Sequence, residues 1–282
     1  ASYWVQAGKD YSHAMRSYMR KGERELPDVM RKTLLAGTAP AGGYPLVSFA
    51  HGTTGVAQMC GMSQTPLQPG TPANTNWVPH IEPLVQQGWA VVASDYSGMG
   101  APGPSSYIVG PLEGRGILDA IRAVDKPSPM IGSVPINTEK LGIYGKSQGG
   151  EAAMSAIQLA PQYAPELAID GGVILAPGFT PAIAGILNTV AKNPTSTAQN
   201  MFVLLIAKSY AQNYPELVSL DQILSPLGMQ KAALLEKYCG HDLANRVSDV
   251  PLSQLINYPV APGLIEALGE GMPGTEKLNV PL

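Results

Sequence analysis

The sequence Gly-Lys-Ser-Gln-Gly at residues 145–149 constrains the fold of this 282-residue chain more than any other feature. A strand-like run precedes it, and glycine and alanine follow it. The pattern predicts a strand that ends in a sharp turn, with Ser147 at the apex, and continues as a helix. Gly145 and Gly149 leave room for that turn. A serine held there exposes its hydroxyl above the edge of a sheet, close to the positive end of a helix dipole.

The surrounding sequence predicts more strands of the same sheet. Apolar runs at residues 45–50, 89–94 and 169–176 read as buried strands, and the first ends in His-Gly-Thr-Thr-Gly at residues 51–55. Between them, the spacing of apolar residues predicts an amphipathic helix over residues 112–124. We therefore expect an α/β fold with a mostly parallel central sheet and helices on both faces.

These motifs together resemble the secretory lipase family of α/β-hydrolases. The resemblance is carried by residues 51–57 with Cys60, by the loop at residues 94–100 and by residues 145–150. It implies an α/β-hydrolase fold with an inserted helical cap, a Ser-Asp-His triad and activity on carboxylic esters. Lys146 departs from the family, in which an aromatic residue is more frequent at this position.

The predicted site contains one nucleophile and an oxyanion hole. In α/β-hydrolases the serine of this turn attacks the substrate, and the backbone N–H of the next residue holds the oxyanion. These roles fall on Ser147 and Gln148. The second N–H is expected from the turn that contains Gly52 and Thr53, with the Thr53 hydroxyl as an additional donor. We interpret Asp95, which precedes the nucleophile in the chain, as a structural residue of its glycine-rich loop.

The rest of the triad is missing from the expected place. In this fold an acid and a histidine follow the serine on loops after the last strands, and those strands are absent from the sequence. The four histidines, none of which suits the role, are His13, His51, His80 and His241. Three explanations remain open. A second polypeptide carrying the C-terminal strands supplies the triad Asp and His, the sequence is a fragment, or an unusual base such as His241 acts. We favour the first, because an uncovered sheet edge exposes apolar surface.

Composition excludes several classes of function. A net charge of −3 and a pI near 5.8 give no basic surface for nucleic acid. No window is apolar enough for a transmembrane helix, and no spacing of ligands indicates a metal or another cofactor.

The chain begins without Met or a signal sequence, which is typical of a mature secreted protein. In an exported protein, the two cysteines, Cys60 and Cys239, are expected to form a disulfide between cap and core.

Four segments are predicted along the chain. Residues 1–35 form an N-terminal helical segment with a basic helix over residues 11–30, and residues 36–177 form the α/β-hydrolase core. Residues 178–271 form a helical cap or lid, and residues 272–282 begin the return to the core. In the cap we expect one helix over residues 197–214, a second opened by a capping box of Ser219 and Gln222, and a third beginning at Pro226.

The sequence favours a secreted serine hydrolase that cleaves small-molecule or lipid esters through an acyl-enzyme on Ser147. Two alternatives stay open. An acyltransferase would resolve the acyl-enzyme with an alcohol or amine instead of water. A catalytically inactive protein would use the same fold for binding.

Overall fold

A computed structural model of the chain describes residues 3–6, 15–17, 39–64, 72–125, 135–178, 185, 198–274, 278 and 280–282. Within these ranges, six strands form one sheet in the order β2-β1-β4-β3-β5-β6. The strands are β1 Tyr3–Gln6, β2 Met15–Ser17, β3 Tyr44–Ala50, β4 Ala90–Ser94, β5 Ile136–Lys146 and β6 Gly171–Leu175. The last four are parallel to one another, whereas β1 pairs antiparallel with both β2 and β4.

The central strands are buried on both faces, as expected where helices cover a parallel sheet. Every residue of β4 is buried, and so are all residues of β3 except Pro45. In the described ranges, three helices cover the sheet: α1 Pro72–Gln86, α2 Gly110–Asp125 and α3 Gln148–Tyr163. On one face α2 and α3 pack together, and on the other Ile81 and Val85 of α1 pack against Phe49. The strands and helix predicted for this core are therefore confirmed.

The predicted helix over residues 11–30 is wrong at Met15–Ser17. These residues form strand β2, which pairs with β1 through the register Tyr3 opposite Ser17. The basic residues had suggested one face of a helix, but pairing with a distant segment decides the conformation here. The rest of the predicted helix lies outside the described residues.

A helical region, residues 198–271, follows the core and has a hydrophobic cluster of its own. Its helices are α4 Ala198–Asn213, α5 Leu220–Ile223, α6 Pro226–Ala232, α7 Gly240–Val247 and α8 Pro262–Glu270. Short 3-10 helices occur at Gln58–Cys60, Met62–Gln64, Ala233–Glu236 and Leu252–Gln254. The capping box at α5 is present, and the N–H of Ser219 donates to Gln222 Oε1 at 2.9 Å.

The helical region is joined to the core covalently and by side-chain packing. Cys60 and Cys239 form a disulfide across 179 residues of sequence, with their Cα atoms 5.5 Å apart, so this prediction is confirmed. The loop before α2 contributes Tyr107, Ile108 and Val109 to the hydrophobic cluster of the helical region. None of the helices in the described ranges combines the length and apolar character that crossing a membrane requires.

Candidate active site

Ser147 lies at a sharp turn between β5 and α3. Its backbone has φ 58° and ψ −122°, a conformation that residues with a Cβ rarely adopt. Backbone hydrogen bonds hold the turn. The N–H of Ser147 donates to the carbonyl of Leu175 at 2.9 Å. The carbonyl of Ser147 accepts from the N–H groups of Gly150 at 2.9 Å, Glu151 at 3.2 Å and Gly178 at 3.4 Å. Ser147 is exposed to solvent. The predicted strand, turn and helix are all present, with the serine open to solvent.

Two glycines make the turn sterically possible. A Cβ on Gly145 would lie 1.9 Å from the carbonyl oxygen of Gly149, and a Cβ on Gly149 would lie 1.8 Å from the carbonyl oxygen of Ala50. Real Cβ atoms do not approach backbone atoms this closely. The spacing Gly-x-Ser-x-Gly therefore reflects two close contacts between α3 and the ends of β3 and β5.

The turn after β3 approaches Ser147. A Cβ on Gly52 would lie 3.8 Å from the Cβ of Ser147, so the backbone at Gly52 borders the serine. The buried ring of His51 donates from Nδ1 to the carbonyl of Gly52 at 2.7 Å. Because the carbonyl and the following N–H point in opposite directions in a trans peptide, this bond directs the N–H of Thr53 away from His51. The Thr53 hydroxyl is 3.0 Å from the Tyr107 hydroxyl.

Gln148 begins α3, and its side chain is fixed by a buried carboxyl group. Its Nε2 donates to Glu113 Oε1 at 2.5 Å, and both residues are almost completely buried. Burial raises the pKa of Glu113 to about 8, although the hydrogen bonds from Gln148 and from the N–H of Ile108 lower it. The sequence analysis overlooked Glu113. The available signal was its position four residues before Ile117, which places a carboxyl on the apolar face of the predicted helix.

The described histidines have partners other than the serine or none that involves it. In the described part of the chain, no histidine forms a hydrogen bond with the Ser147 side chain. Burial lowers the pKa of His51 to about 4. His80 lies inside α1, where its Nδ1 is 2.6 Å from the Tyr144 hydroxyl. His241 lies in the first turn of α7, and His13 is outside the described residues.

Lys146 lies beside His80, and Asp95 is buried near Gly61. The Lys146 ammonium is exposed and lies 3.5 Å from His80 Nε2. Burial lowers the pKa of His80, and the charge of Lys146 lowers it further. Asp95 is fully buried, and a Cβ on Gly61 would lie 3.0 Å from its Oδ2. Where side chains are described, no group of three or more His, Cys, Asp or Glu residues could hold a metal ion.

Comparison with known sequences gives a consistent result. The sequence model of the family described as Secretory lipase matches residues 71–259. Lipase 5 of Candida albicans is 30% identical over 170 residues, which cover 59% of this chain and 33% of the relative. The probable trichothecene esterase SAT6 of Stachybotrys chartarum is 27% identical over 169 residues, covering 58% of this chain and 33% of the relative. The aligned part of this chain thus spans only 33% of the length of either relative.

Solved structures share the architecture. The rice cell wall degrading esterase LipA from Xanthomonas oryzae, in a ligand-bound form, has a TM-score of 0.65 and 18% identity, with 85% of this chain and 64% of that chain covered. Candida antarctica lipase A in its closed state has a TM-score of 0.60 and 22% identity, with 83% and 54% covered. At these identities the likeness concerns the fold, which is the α/β-hydrolase fold predicted from the motifs.

Proposed function

Because the chain belongs to the secretory lipase family, we propose that it hydrolyses carboxylic esters through an acyl-enzyme on Ser147. The observation that carries the proposal is that Ser147 is exposed and has a φ of 58° at its turn. The backbone of Gly52 borders this turn, and the helix that follows it begins at Gln148. Such a serine is accessible to a substrate.

In the proposed reaction, Ser147 Oγ attacks the carbonyl carbon of the ester while a histidine accepts its proton. The carbonyl oxygen becomes an oxyanion, held by the N–H of Gln148 and the N–H of Thr53. Losing one such donor typically costs about 3 kcal/mol of transition-state stabilisation. The intermediate expels the alcohol, which takes the proton from the histidine. Water then attacks the acyl-enzyme and releases the carboxylic acid.

The acid and the histidine of the triad are proposed to lie outside the described residues. They would belong either to the same protein or to a second polypeptide, and the comparisons lend no support to the second polypeptide. His51 is a poor candidate for the base, since its buried ring already donates to the carbonyl of Gly52.

The helical region is proposed to act as a lid that selects the substrate. Two contacts support this role, because they connect the helical region and its hydrophobic cluster to the turn after β3 that contains Gly52 and Thr53. The N–H of Gly240, at the start of α7, donates to the carbonyl of Thr54 at 2.7 Å. Tyr107, part of the cluster of the helical region, contacts the Thr53 hydroxyl. Secretion is proposed from the family description and from the Cys60–Cys239 disulfide.

The test is labelling of the native protein, purified with any polypeptide that accompanies it, by a fluorophosphonate probe. We expect an adduct on Ser147 and turnover of p-nitrophenyl esters, and Ser147→Ala should lose about 10⁶-fold in kcat. The exposed Ser253 provides the matched control Ser253→Ala, which should behave as the wild type. An adduct without hydrolysis, but with acyl transfer to an added alcohol, would favour the acyltransferase. The absence of any adduct would leave only the non-catalytic binding protein.

A further inference from the structure

Beneath the serine turn lies a buried carboxyl group that the proposed mechanism does not use. Glu113, in the first turn of α2, is 0% exposed and faces the first residue of α3. Its Oε1 accepts from two donors, Gln148 Nε2 at 2.5 Å and the N–H of Ile108 at 3.3 Å. The pair therefore joins α2, α3 and the preceding loop directly below the turn.

The same pair leaves two acceptors without a donor. Within the described residues, neither Glu113 Oε2 nor Gln148 Oε1 has a hydrogen-bond partner, and both are buried. A proton on Glu113 Oε2 would supply the missing donor. A carboxylate, in contrast, would add a charge and still leave both oxygens unsatisfied, which is unfavourable for buried atoms.

Among the described residues, no cation pairs with Glu113 to favour its ionised form. The titratable groups that face it are the Tyr96 and Tyr107 hydroxyls, with Glu151 of α3 close to Tyr107. These groups are neutral or negative. Burial accordingly raises the pKa of Glu113 to about 8, so the carboxyl is mostly protonated at neutral pH.

We infer that Glu113 is a positioning residue that acts as a neutral carboxylic acid, holding Gln148 so that its backbone N–H points to the oxyanion. The role of that N–H rests on the proposed function. Neutrality matters for two reasons. The proton completes the pairing with the Gln148 amide, and a carboxylate beneath the serine would repel the oxyanion of the transition state.

The first test is independent of catalysis. In the full chain with ¹⁵N-labelled glutamine, the backbone and side-chain amide signals of Gln148 should shift with a midpoint near pH 8, as Glu113 loses its proton. Glu113→Gln preserves the shape and supplies the missing donor, so its Gln148 signals should stay constant. The exposed Glu139 offers the control Glu139→Gln, which should titrate like the wild type. The inference is overturned if the Gln148 signals do not titrate in the wild type, or titrate equally in Glu113→Gln.

The second test measures fluorophosphonate labelling of Ser147 against pH. With a pKa of about 8, the protonated fraction of Glu113 falls roughly tenfold between pH 7 and pH 9. The ratio of the labelling rates of the wild type and Glu113→Gln should fall by the same factor. A constant ratio would overturn the positioning role even if the amide signals titrate. If the wild type is unlabelled at every pH, the proposed function fails, and the Gln148 signals alone decide whether Glu113 orders this residue.

Discussion

At the scale of the residue, the strained backbone of Ser147 is the central feature. A residue with a Cβ in this region costs about 1–3 kcal/mol and persists only where its surroundings determine it. Those surroundings are specific. Backbone hydrogen bonds to Leu175 and Gly150 are among those that hold the turn, while Gly145 and Gly149 lack the Cβ atoms that would prevent it. The strain is thus supported by contacts on both sides of the serine.

Gly149→Ala is expected to lower the free energy of unfolding by about 3 kcal/mol, because the new Cβ would meet the Ala50 carbonyl at 1.8 Å. Urea denaturation followed by circular dichroism measures this change. The matched control is Gly269→Ala in α8, where the new Cβ would have no atom within 4 Å beyond its own helical backbone. That variant should be more stable by about 0.5–1 kcal/mol. Equal stability of the two variants would contradict the close contact at Gly149.

The sequence predicted the local parts of the site and missed the non-local one. Ser147 and its flanking glycines follow from five consecutive residues, because the turn itself demands them. Glu113 could be placed on the core face of a helix, but its partner Gln148 is 35 residues away. The spacing of residues along a helix does not show whether a buried carboxyl group accepts a hydrogen bond from a distant side chain.

At the scale of the element, the loop before α2 connects the core to the helical region. Ile108 has φ 55°, which is unusual for a β-branched residue. Its N–H donates to Glu113 Oε1, and its carbonyl accepts from the Tyr210 hydroxyl of α4 at 2.6 Å. Two elements from different parts of the chain therefore hold one strained peptide.

Tyr210→Phe should destabilise the protein by about 1–2 kcal/mol, because the variant leaves the buried Ile108 carbonyl without this donor. Thermal and urea denaturation would measure the loss. Tyr214→Phe, in the ring stacked on Tyr210, is the control and should be nearly neutral, since Tyr214 is only partly buried. If both variants lose the same stability, the effect belongs to ring packing and not to the hydrogen bond.

The elements themselves were predicted where their signals are local. β3 and β4 are continuous apolar runs, which is the pattern of strands covered on both faces. Strand β2 was missed because three residues carry little periodicity and their conformation depends on pairing with β1. The order of strands and the antiparallel position of β1 beside β4 are likewise non-local properties.

At the scale of the whole molecule, one covalent bond ties the helical region to the core. Cys60 belongs to the hydrophobic cluster around the sheet, and Cys239, which directly precedes α7, packs against the same cluster. The bond closes a loop of 179 residues, and loops of this length lose much conformational entropy when they are closed in the unfolded chain. Removal of a native disulfide typically costs 2–5 kcal/mol.

We therefore expect reduction to lower the free energy of unfolding by about 4 kcal/mol. Because the helical region and the core retain contacts at Tyr107 and Ile108, the protein should stay folded at low urea after reduction. The measurement is urea denaturation with and without a phosphine reductant. In the variant with both Cys60→Ser and Cys239→Ser, the reductant should have no effect, and the midpoint should equal that of the reduced wild type. An unchanged midpoint in the reduced wild type would show that non-covalent packing alone holds the helical region on the core.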